Sequence, residues 1–482
     1  MTFQNTSKVA LIGGAGAIGA ALCDALKQRH QVLMLTRSRS RVQLEQDNEH
    51  VIWRHCDPFH LDQVQSAFAG ADTVVYLART QEANSRLTPS QFRTLSLFIA
   101  DNIARAAAHC GVKQIIFLSH LGSFGKEGRY VTQIRKVEDS LAAYGAGLTV
   151  LRAGPIIGPG SSLTQALINL VRRFPIMTLP SWTKNHVRPI AMCDLAQVTA
   201  QCAGDQAYYG KRIDLSGPAQ LSFKRMIQSI SKALGKNSFL IDLPGPWTGL
   251  SKFWLRHAAG FNRDMAGLLT DSLAISQKAS LTPDFSWINE KGDDLQFAIN
   301  KSIVTPARPN TSRHLSPVET KTQGEVLSSA RRLSRPPGYN AIESGRAFIR
   351  WLPDFGWPWL NCEIISENRC RFYLRPFNLL LIELSFDRRH STKDLCFFVI
   401  EKGFLVRPQE QGLGRLEIRE ILKGSELIVS IHHYQPRLPY LLYKLTQERL
   451  YQFMITQFNH YLQRLHEVSS VGMSQVKRAH HL

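Results

Sequence analysis

The sequence predicts two folded domains: an α/β domain with a doubly wound parallel sheet, and an α+β domain with an antiparallel sheet and a long carboxy-terminal helix. Short β-branched apolar runs alternate with helical patterns over residues 1–290, which is typical of βα units in a parallel sheet. After residue 340, strand-like runs follow one another directly, and an amphipathic helical pattern comes last. The two regions therefore belong to different fold classes.

The strands of the first domain are short apolar runs. They are predicted at 9–12, 32–35, 51–56, 73–77, 115–119 and 148–151. Helical patterns such as 20–27 and 97–109 lie between them. Because parallel neighbours need a crossover connection, this alternation predicts a sheet covered by helices.

A basic linker is predicted at 291–339. Residues 305–339 contain five prolines, five serines and six Lys or Arg against two Glu, with no apolar period. This composition is typical of an exposed, mobile segment, and its positive charges are expected to be solvated rather than bound to an acidic surface.

The second domain, 340–482, is predicted from five strand-like runs and one helix. The strands are expected at 371–374, 379–386, 395–401, 416–422 and 427–434, and Lys423-Gly424 form the last hairpin turn. The helix follows a break at 435–439. Its apolar residues fall on one stripe at three- and four-residue spacing: Leu450, Met454, Phe458, Tyr461 and Leu465.

A sheet that grasps one long helix is similar in outline to the helix-grip proteins, which hold apolar ligands. This architecture predicts an apolar pocket between sheet and helix, with Phe386, Phe397 and Phe398 as its wall. The alternative is that these side chains fill the space completely, because protein interiors are normally close-packed.

Composition limits the function classes. At 44% hydrophobic residues the 482-residue chain can bury a large core, and a net charge of +20 favours anionic partners without choosing among them. Eight scattered cysteines without a CxxC pair predict no metal site and no disulfide framework, so a cytoplasmic protein is expected. No uncharged apolar run approaches the ~18 residues of a membrane span, and no motif predicts nucleic-acid binding.

The strongest chemical signal is a glycine loop. Gly13, Gly16 and Gly19 follow the first strand and begin a helix, which is the context of a dinucleotide fingerprint. The three glycines allow a tight turn, close approach of a pyrophosphate and close helix packing, and the helix N-terminus favours the phosphates. The predicted cofactor-binding loop is Gly13, Gly14, Ala15, Gly16, Ala17, Ile18 and Gly19.

The end of the second strand predicts which dinucleotide binds. NAD sites place an acidic residue there for the ribose 2′-hydroxyl, whereas NADP sites place Arg for the 2′-phosphate. Here Arg37 comes first, followed by Arg39 and Arg41, so NADP is predicted, with Arg37 as the 2′-phosphate ligand and the other two as a solvated turn. Asp57 ends the third strand and is expected either to bond the adenine amine or to cap the next helix.

Together, these motifs resemble the atypical short-chain dehydrogenase/reductases, in particular the NmrA-like and complex I accessory-subunit branch related to nucleotide-sugar epimerases. The resemblance rests on 13–19, the Asp57 element, 72–78, 111–119, 151–160, 187–196 and 212–218. It implies a Rossmann-type fold and cofactor contacts from Leu77 and Ala78. Segments 412–419 and 431–440 are similar to uncharacterised domains appended to such proteins.

The resemblance also implies catalytic residues. Active members use a Tyr-x-x-x-Lys pair on one helix with a Ser or Thr from a strand end, the Lys lowering the Tyr pKa. Tyr130 and Ser119 match, with Ser123 as an alternative hydroxyl, but Ile134 stands where the Lys belongs. Lys136 lies about 120° around the helix from Tyr130. Lys126, in the loop before this helix, is the other lysine that could take the place of the missing one.

The sequence therefore predicts an NADP-binding oxidoreductase or epimerase-like enzyme with a Tyr-only relay, acting on a small molecule that is quinone-like or otherwise apolar. The alternative is a redox sensor or assembly factor that binds NADP(H) without turnover. The missing Lys keeps both hypotheses open.

Overall fold

The computed structural model describes residues 7–77, 92–121, 129–242, 285, 288, 295–305, 327–355, 358–407 and 414–479. The chain divides into two compact units. The first contains residues 1–84 and 102–314, and the second contains 85–101 and 315–482. The second unit thus takes in a stretch of the chain, 85–101, that the sequence analysis placed in the first domain.

The strands of the first unit confirm the predicted α/β class. They are Lys8–Ile12 (β1), Gln31–Thr36 (β2), Val51–His55 (β3), Thr73–Leu77 (β4), Gln114–His120 (β5), Gly147–Ala153 (β6), Ile156–Ile157 (β7), Ile176–Leu179 (β8), His186–Val187 (β9), Ile190–Ala191 (β10), Arg212–Leu215 (β11), Leu221–Ser222 (β12) and Phe239–Asp242 (β13). Among the described residues, seven of them form one sheet in the order β11-β6-β5-β4-β1-β2-β3. Every pair in it is parallel.

The helices run between these strands, as the alternating pattern predicts. They are Ala17–Leu26 (α1), Arg39–Leu44 (α2), Leu61–Phe68 (α3), Phe92–His109 (α4), Arg129–Leu141 (α5), Ser162–Arg173 (α6), Met192–Cys202 (α7), Phe223–Ala233 (α8) and Leu295–Val304 (α9). On one side of the sheet, Leu22 of α1 and Leu195 of α7 join Leu11 and Val32 in a buried core. The strand order reverses beside β1, so the carboxyl ends of β1 and β4 flank the position where ligands bind in open α/β sheets.

The second unit contains an antiparallel sheet. Its strands are Leu327–Leu333 (β14), Leu360–Ser366 (β15), Arg369–Leu374 (β16), Leu379–Phe386 (β17), Leu395–Ile400 (β18), Gly414–Ile421 (β19) and Glu426–Tyr434 (β20). They are ordered β14-β20-β19-β18-β17-β16-β15, and all their pairings are antiparallel. The five predicted strands are confirmed, and β14 and β15 are added at the two edges. Lys423 and Gly424 have φ of 55° and 83°, as the tight turn between β19 and β20 requires.

Besides the part of α4 up to Asp101, three α-helices complete this unit in its described part: Ala341–Trp351 (α10), Tyr440–Leu445 (α11) and Gln447–Ala479 (α12). Phe348 of α10 packs edge-on against Phe458 of α12 with ring centroids 5.0 Å apart. Phe348 also meets Phe398 of the sheet at 6.4 Å. A helix absent from the sequence prediction therefore joins α12 in the core, and the structure favours close packing over an apolar pocket between sheet and helix.

The predicted linker, 291–339, differs from the structure at two places. Helix α9 buries Ala298 and Ile299 in the core of the first unit. Strand β14 pairs with β20 and buries Ala330 and Leu333. The polar and basic composition of 305–339 hides β14, because Ser329, Arg331 and Arg332 interrupt the apolar alternation by which a strand is predicted.

Candidate functional site

The glycine loop joins β1 to α1. Gly13 has a φ of 87°, a left-handed conformation that favours glycine, and the Gly16 N–H donates to the Gly13 carbonyl at 3.3 Å. Gly16 is the N-cap of α1, and no side chain caps the helix there. The first backbone N–H groups of α1 are thus available to an anion.

Gly19 and Gly16 occupy their positions in the loop for two different steric reasons. A Cβ on Gly19 would lie 2.4 Å from Gly14 Cα, so the helix can pack on the loop only through a glycine. A Cβ on exposed Gly16 would meet only the Gly13 carbonyl oxygen, at 3.7 Å. The space beside Gly16 is therefore open to a ligand, and the loop fits the pyrophosphate of a dinucleotide.

The basic turn after β2 lies beside this loop. Ser38 caps α2 by accepting from the Arg41 N–H at 3.2 Å. The Arg41 guanidinium donates to the carbonyl of Ala15 at 3.0 Å and lies 5.5 Å from the centroid of the Trp53 ring. Arg37 is exposed, and no carboxylate in the described part of the chain pairs with it. Arg41, predicted as part of a solvated turn, instead contacts the glycine loop.

Asp57 follows β3 and stabilises a turn. Its Oδ1 accepts from the Phe59 N–H at 3.1 Å, whereas the N-cap of α3 is His60. The carboxylate therefore shapes the entry to α3 without capping it directly, and its contact with adenine stays a prediction. Leu77 is buried at the end of β4, and Ala78 lies outside the described residues.

Ser119, near the end of β5, faces a buried carboxylate. Its hydroxyl donates to Glu138 Oε1 at 2.6 Å. Glu138, on α5, is 1% exposed and also accepts from Arg135 at 2.6 Å and from Arg152 at 2.7 Å. Arg212 stands 3.5 Å away at the start of β11. We call Ser119, Arg135, Glu138 and Arg152 the carboxylate cluster.

Electrostatics keep Glu138 ionised. Burial is the largest effect on this carboxyl and opposes its ionisation, but the hydrogen bonds from Arg152 and Ser119 and the charge of Arg135 outweigh it. The pKa of Glu138 is therefore lowered. Sequence reasoning missed Glu138, Arg135 and Arg152, and the signal available was a carboxylate on the same helix as Tyr130, two turns further along.

The other predicted catalytic residues lie on or near α5. Tyr130 is in its first turn, and its side chain lies outside the described part of the chain, as do Ser123 and Lys126. Ile134, at the position expected for Lys, is 1% exposed. The catalytic roles of Tyr130 and Ser119 thus stay a prediction.

A second cluster of buried charges lies in the second unit. Arg419 Nη1 is 2.9 Å from Asp101 Oδ2, and its Nε donates to Glu417 Oε1. His432 Nε2 is 3.0 Å from Glu417 Oε2. The Arg419 guanidinium also stacks on Phe98, 4.4 Å from the ring centroid.

Burial is again the largest effect on Glu417 and opposes ionisation, but the charge of Arg419 and the hydrogen bond from His432 outweigh it and hold the pKa at about 2. The four charged or titratable side chains are at most 5% exposed. His432 thus contacts the carboxylate of the buried ion pair between Glu417 and Arg419. No group of three or more His, Cys, Asp or Glu suited to a metal ion occurs among the described residues.

A cleft of about 330 Å³ lies between the end of α10 and the middle of α12. Trp351, Phe355 and Phe453 form its aromatic wall, and Asp354 and Arg464 bring both signs of charge. It is separate from the predicted pocket between the sheet and α12. Within the described residues, none of the helices is both long enough and apolar enough to span a bilayer.

Comparison with known proteins agrees with the glycine-loop geometry. Residues 13–158 match a protein-family model described as NAD(P)H-binding. The auxiliary protein GraX of Staphylococcus aureus is 32% identical over 111 residues, which are 23% of this chain and 36% of that protein. The ceramide reductase of Caulobacter vibrioides is 25% identical over 260 residues, 49% of this chain and 74% of that protein.

One solved structure supports the same fold, and a second gives a lower TM-score. A triphenylmethane reductase of Citrobacter sp. superposes with a TM-score of 0.50 at 16% identity, covering 62% of this chain and all of that one. An NADPH-dependent quinone oxidoreductase of Escherichia coli gives 0.46 at 18% identity, covering 60% and 98%. Residues 13–158 therefore match an NAD(P)H-binding domain, and the first unit has the Rossmann-type fold that the sequence predicts.

Proposed function

We propose that the chain is an NADP(H)-dependent oxidoreductase that acts on an apolar small molecule with a relay lacking the usual lysine. The glycine loop carries the proposal. It combines the left-handed Gly13, the close Gly14–Gly19 contact and the open side of Gly16 with an uncapped helix N-terminus. When bound, NADP(H) would supply or accept a hydride.

The residues that would hold this cofactor follow from the loop. Backbone N–H groups between Gly13 and Gly19 would bind the pyrophosphate. Exposed Arg37 and loop-bound Arg41 would pair with the 2′-phosphate, because a guanidinium matches the geometry of a phosphate. Asp57 would contact the adenosine half of the cofactor. Leu77, at the end of β4, would contact the cofactor from the edge of the sheet.

In this proposal Tyr130 transfers the proton and Ser119 positions the substrate. The hydroxyl hydrogen of Ser119 is held by Glu138 and its oxygen already accepts from Arg135 at 3.4 Å, so one remaining lone pair of that oxygen can accept a hydrogen bond, and the hydroxyl cannot polarise a carbonyl. A substrate hydroxyl is therefore favoured as its partner. Glu138 acts through Ser119 and is a positioning residue.

An apolar substrate is supported by the similarity to a curated protein named ceramide reductase, whose name specifies a lipid. The similarity extends over 260 residues, well past the 158th residue where the cofactor-domain match ends. A long-chain ketone or alcohol is thus the first substrate class to test.

Cofactor choice is tested by fluorescence titration of the purified chain with NADPH and NADH. We expect at least tenfold tighter binding of NADPH, and a loss of that preference in Arg37→Ala or Arg41→Ala, because each removes a cation from the 2′-phosphate site. Arg29, an exposed residue before the start of β2, provides the matched control. Arg29→Ala should change the affinity for neither nucleotide. Equal affinity for the two nucleotides would refute the NADP assignment.

The alternative, a sensor that binds NADP(H) without turnover, is favoured by one observation: buried Ile134 stands at the Lys position. NADPH consumption with long-chain ketones and quinones separates the two. The enzyme hypothesis expects slow turnover that Tyr130→Phe abolishes while NADPH affinity is kept. Tight NADPH binding with no turnover on any of these carbonyl compounds supports the sensor instead.

A further inference from the structure

One end of the antiparallel sheet exposes large apolar side chains. Neighbouring strands run in opposite directions, so β15 and β17 begin at the end where β16, β18 and β20 finish. Six large apolar residues at or beside this end are 37–79% exposed, and we call them the apolar rim: Trp359, Phe377, Leu379, Phe404, Leu442 and Leu445.

Backbone contacts bring the segments of the rim together. The Arg375 N–H, next to Phe377 in the β16–β17 turn, donates to the Trp359 carbonyl at 2.9 Å. The Phe404 N–H donates to the Leu380 carbonyl at 2.9 Å. The rim is therefore continuous from β15 to the segment after β18.

The chain after β20 extends this surface. The Arg437 N–H donates to the Leu405 carbonyl at 3.0 Å, and the Arg437 guanidinium lies 5.5 Å from the centroid of the Phe404 ring. Helix α11 is fixed by Tyr443, which is buried against Tyr434 with ring centroids 6.3 Å apart. Its Leu442 and Leu445 stay outside the core, 51% and 52% exposed.

Charge at the rim has one sign. The segments that form it, 358–360, 375–379, 402–407 and 435–445, contain five Arg or Lys and neither Asp nor Glu, and one of the five, Lys402, pairs with Glu383 of β17 at 3.7 Å. Arg375, Lys402, Arg407 and Arg437 are exposed. Glu410, in the adjoining segment, lies outside the described residues. An anionic surface therefore complements the rim.

We propose that the apolar rim docks the second unit onto an anionic lipid bilayer. Trp side chains are favoured at the level of the headgroups, Phe and Leu side chains enter the boundary with the acyl chains, and Arg and Lys beside them are attracted to anionic lipids. Exposed Phe and Leu at hairpin tips and on a short helix can enter a bilayer surface without any spanning segment. This role is independent of the cofactor and would bring the chain to its apolar substrate.

The test is flotation of the full chain with vesicles of phosphatidylcholine alone or of phosphatidylcholine mixed with the anionic lipid phosphatidylglycerol, which attracts Lys and Arg near the membrane surface. We expect flotation only with the anionic vesicles and weaker binding at high salt. Trp359→Ser with Phe377→Ser should reduce the bound fraction about tenfold, because less apolar area is buried. Arg375→Glu with Arg437→Glu should do the same.

The matched control is Ile364→Ser with Ile365→Ser, two exposed residues at the other end of β15, which should bind vesicles like the parent chain. NADPH titration of each variant confirms that the first unit is folded, and the melting temperature checks the second. No flotation with anionic vesicles, equal flotation of the Trp359/Phe377 variant, or a rim that controls only self-association of the chain would each overturn the proposal.

Discussion

Glu138 and Glu417 show how single buried carboxylates are kept ionised by arginine. Glu138 is 1% exposed and Glu417 is 2% exposed, and each accepts hydrogen bonds from at least one guanidinium. Removing one partner from such a group leaves the remaining charges buried and uncompensated. Both carboxylates are therefore expected to be sensitive to small changes.

Glu417→Gln should destabilise the chain by about 3 to 5 kcal/mol at neutral pH, because Arg419 loses its buried partner. The folded pKa of Glu417, about 2, is below its ordinary value of 4.5. Its contribution to stability is therefore fully present above pH 4.5 and is lost as the pH falls toward 2. Urea unfolding at several pH values measures both effects.

Exposed Glu363→Gln is the control and should leave the pH dependence unchanged. If the Glu417→Gln variant loses as much stability as the parent chain between pH 5 and pH 3, the ion-pair account of this residue fails.

At the scale of elements, two glycines of the β1–α1 junction are expected to have different roles: Gly19 in stability and Gly16 in cofactor binding. Gly19→Ala places a methyl group against the Gly14 backbone and should cost about 1 to 3 kcal/mol or more of stability. Gly16→Ala meets no such clash and should cost at most about 1 kcal/mol, through the poorer N-cap. It should still weaken NADPH binding at least tenfold, because the methyl group occupies the open side of the loop.

Thermal melts and NADPH titration of both variants provide the comparison. A Gly16→Ala variant with full affinity would mean that the pyrophosphate does not approach the loop from this side. A Gly19→Ala variant with the parent melting temperature would contradict the packing role.

Prediction from sequence succeeded where periodicity is strong. The six predicted strands of the first domain all match described strands, because buried parallel strands are near-continuous apolar runs. It failed at β14, where Ser329, Arg331 and Arg332 interrupt the apolar pattern and the buried apolar side chains among the described ones are Ala330 and Leu333. It also failed at the carboxylate cluster, because the pairing of Ser119 with Glu138 depends on the tertiary position of α5.

At the scale of the whole molecule, β14 is the distant member of its sheet. The other neighbours are consecutive in the chain, whereas β14 pairs with β20. Ala330→Asp, at a position 1% exposed, should destabilise the chain by about 3 kcal/mol or more, because it buries an unpaired charge. Hydrogen exchange of the β20 amides should accelerate.

Ile365→Asp introduces the same charged residue at an exposed position on the opposite edge strand, and it serves as the control. Equal melting temperatures for the two variants would show that β14 contributes little to the sheet.

The pairing of β14 with β20 also sets a schedule for biosynthesis. A ribosome makes β14 first, and its partner emerges only after every other strand of the sheet. The consecutive strands can form hairpins as they appear, while β14 waits as an unpaired extended segment. We expect Arg331 and Arg332 in its sequence to act as gatekeepers that discourage pairing with other nascent chains. The positive charge that makes this segment resemble a linker thus protects a strand that waits for its partner.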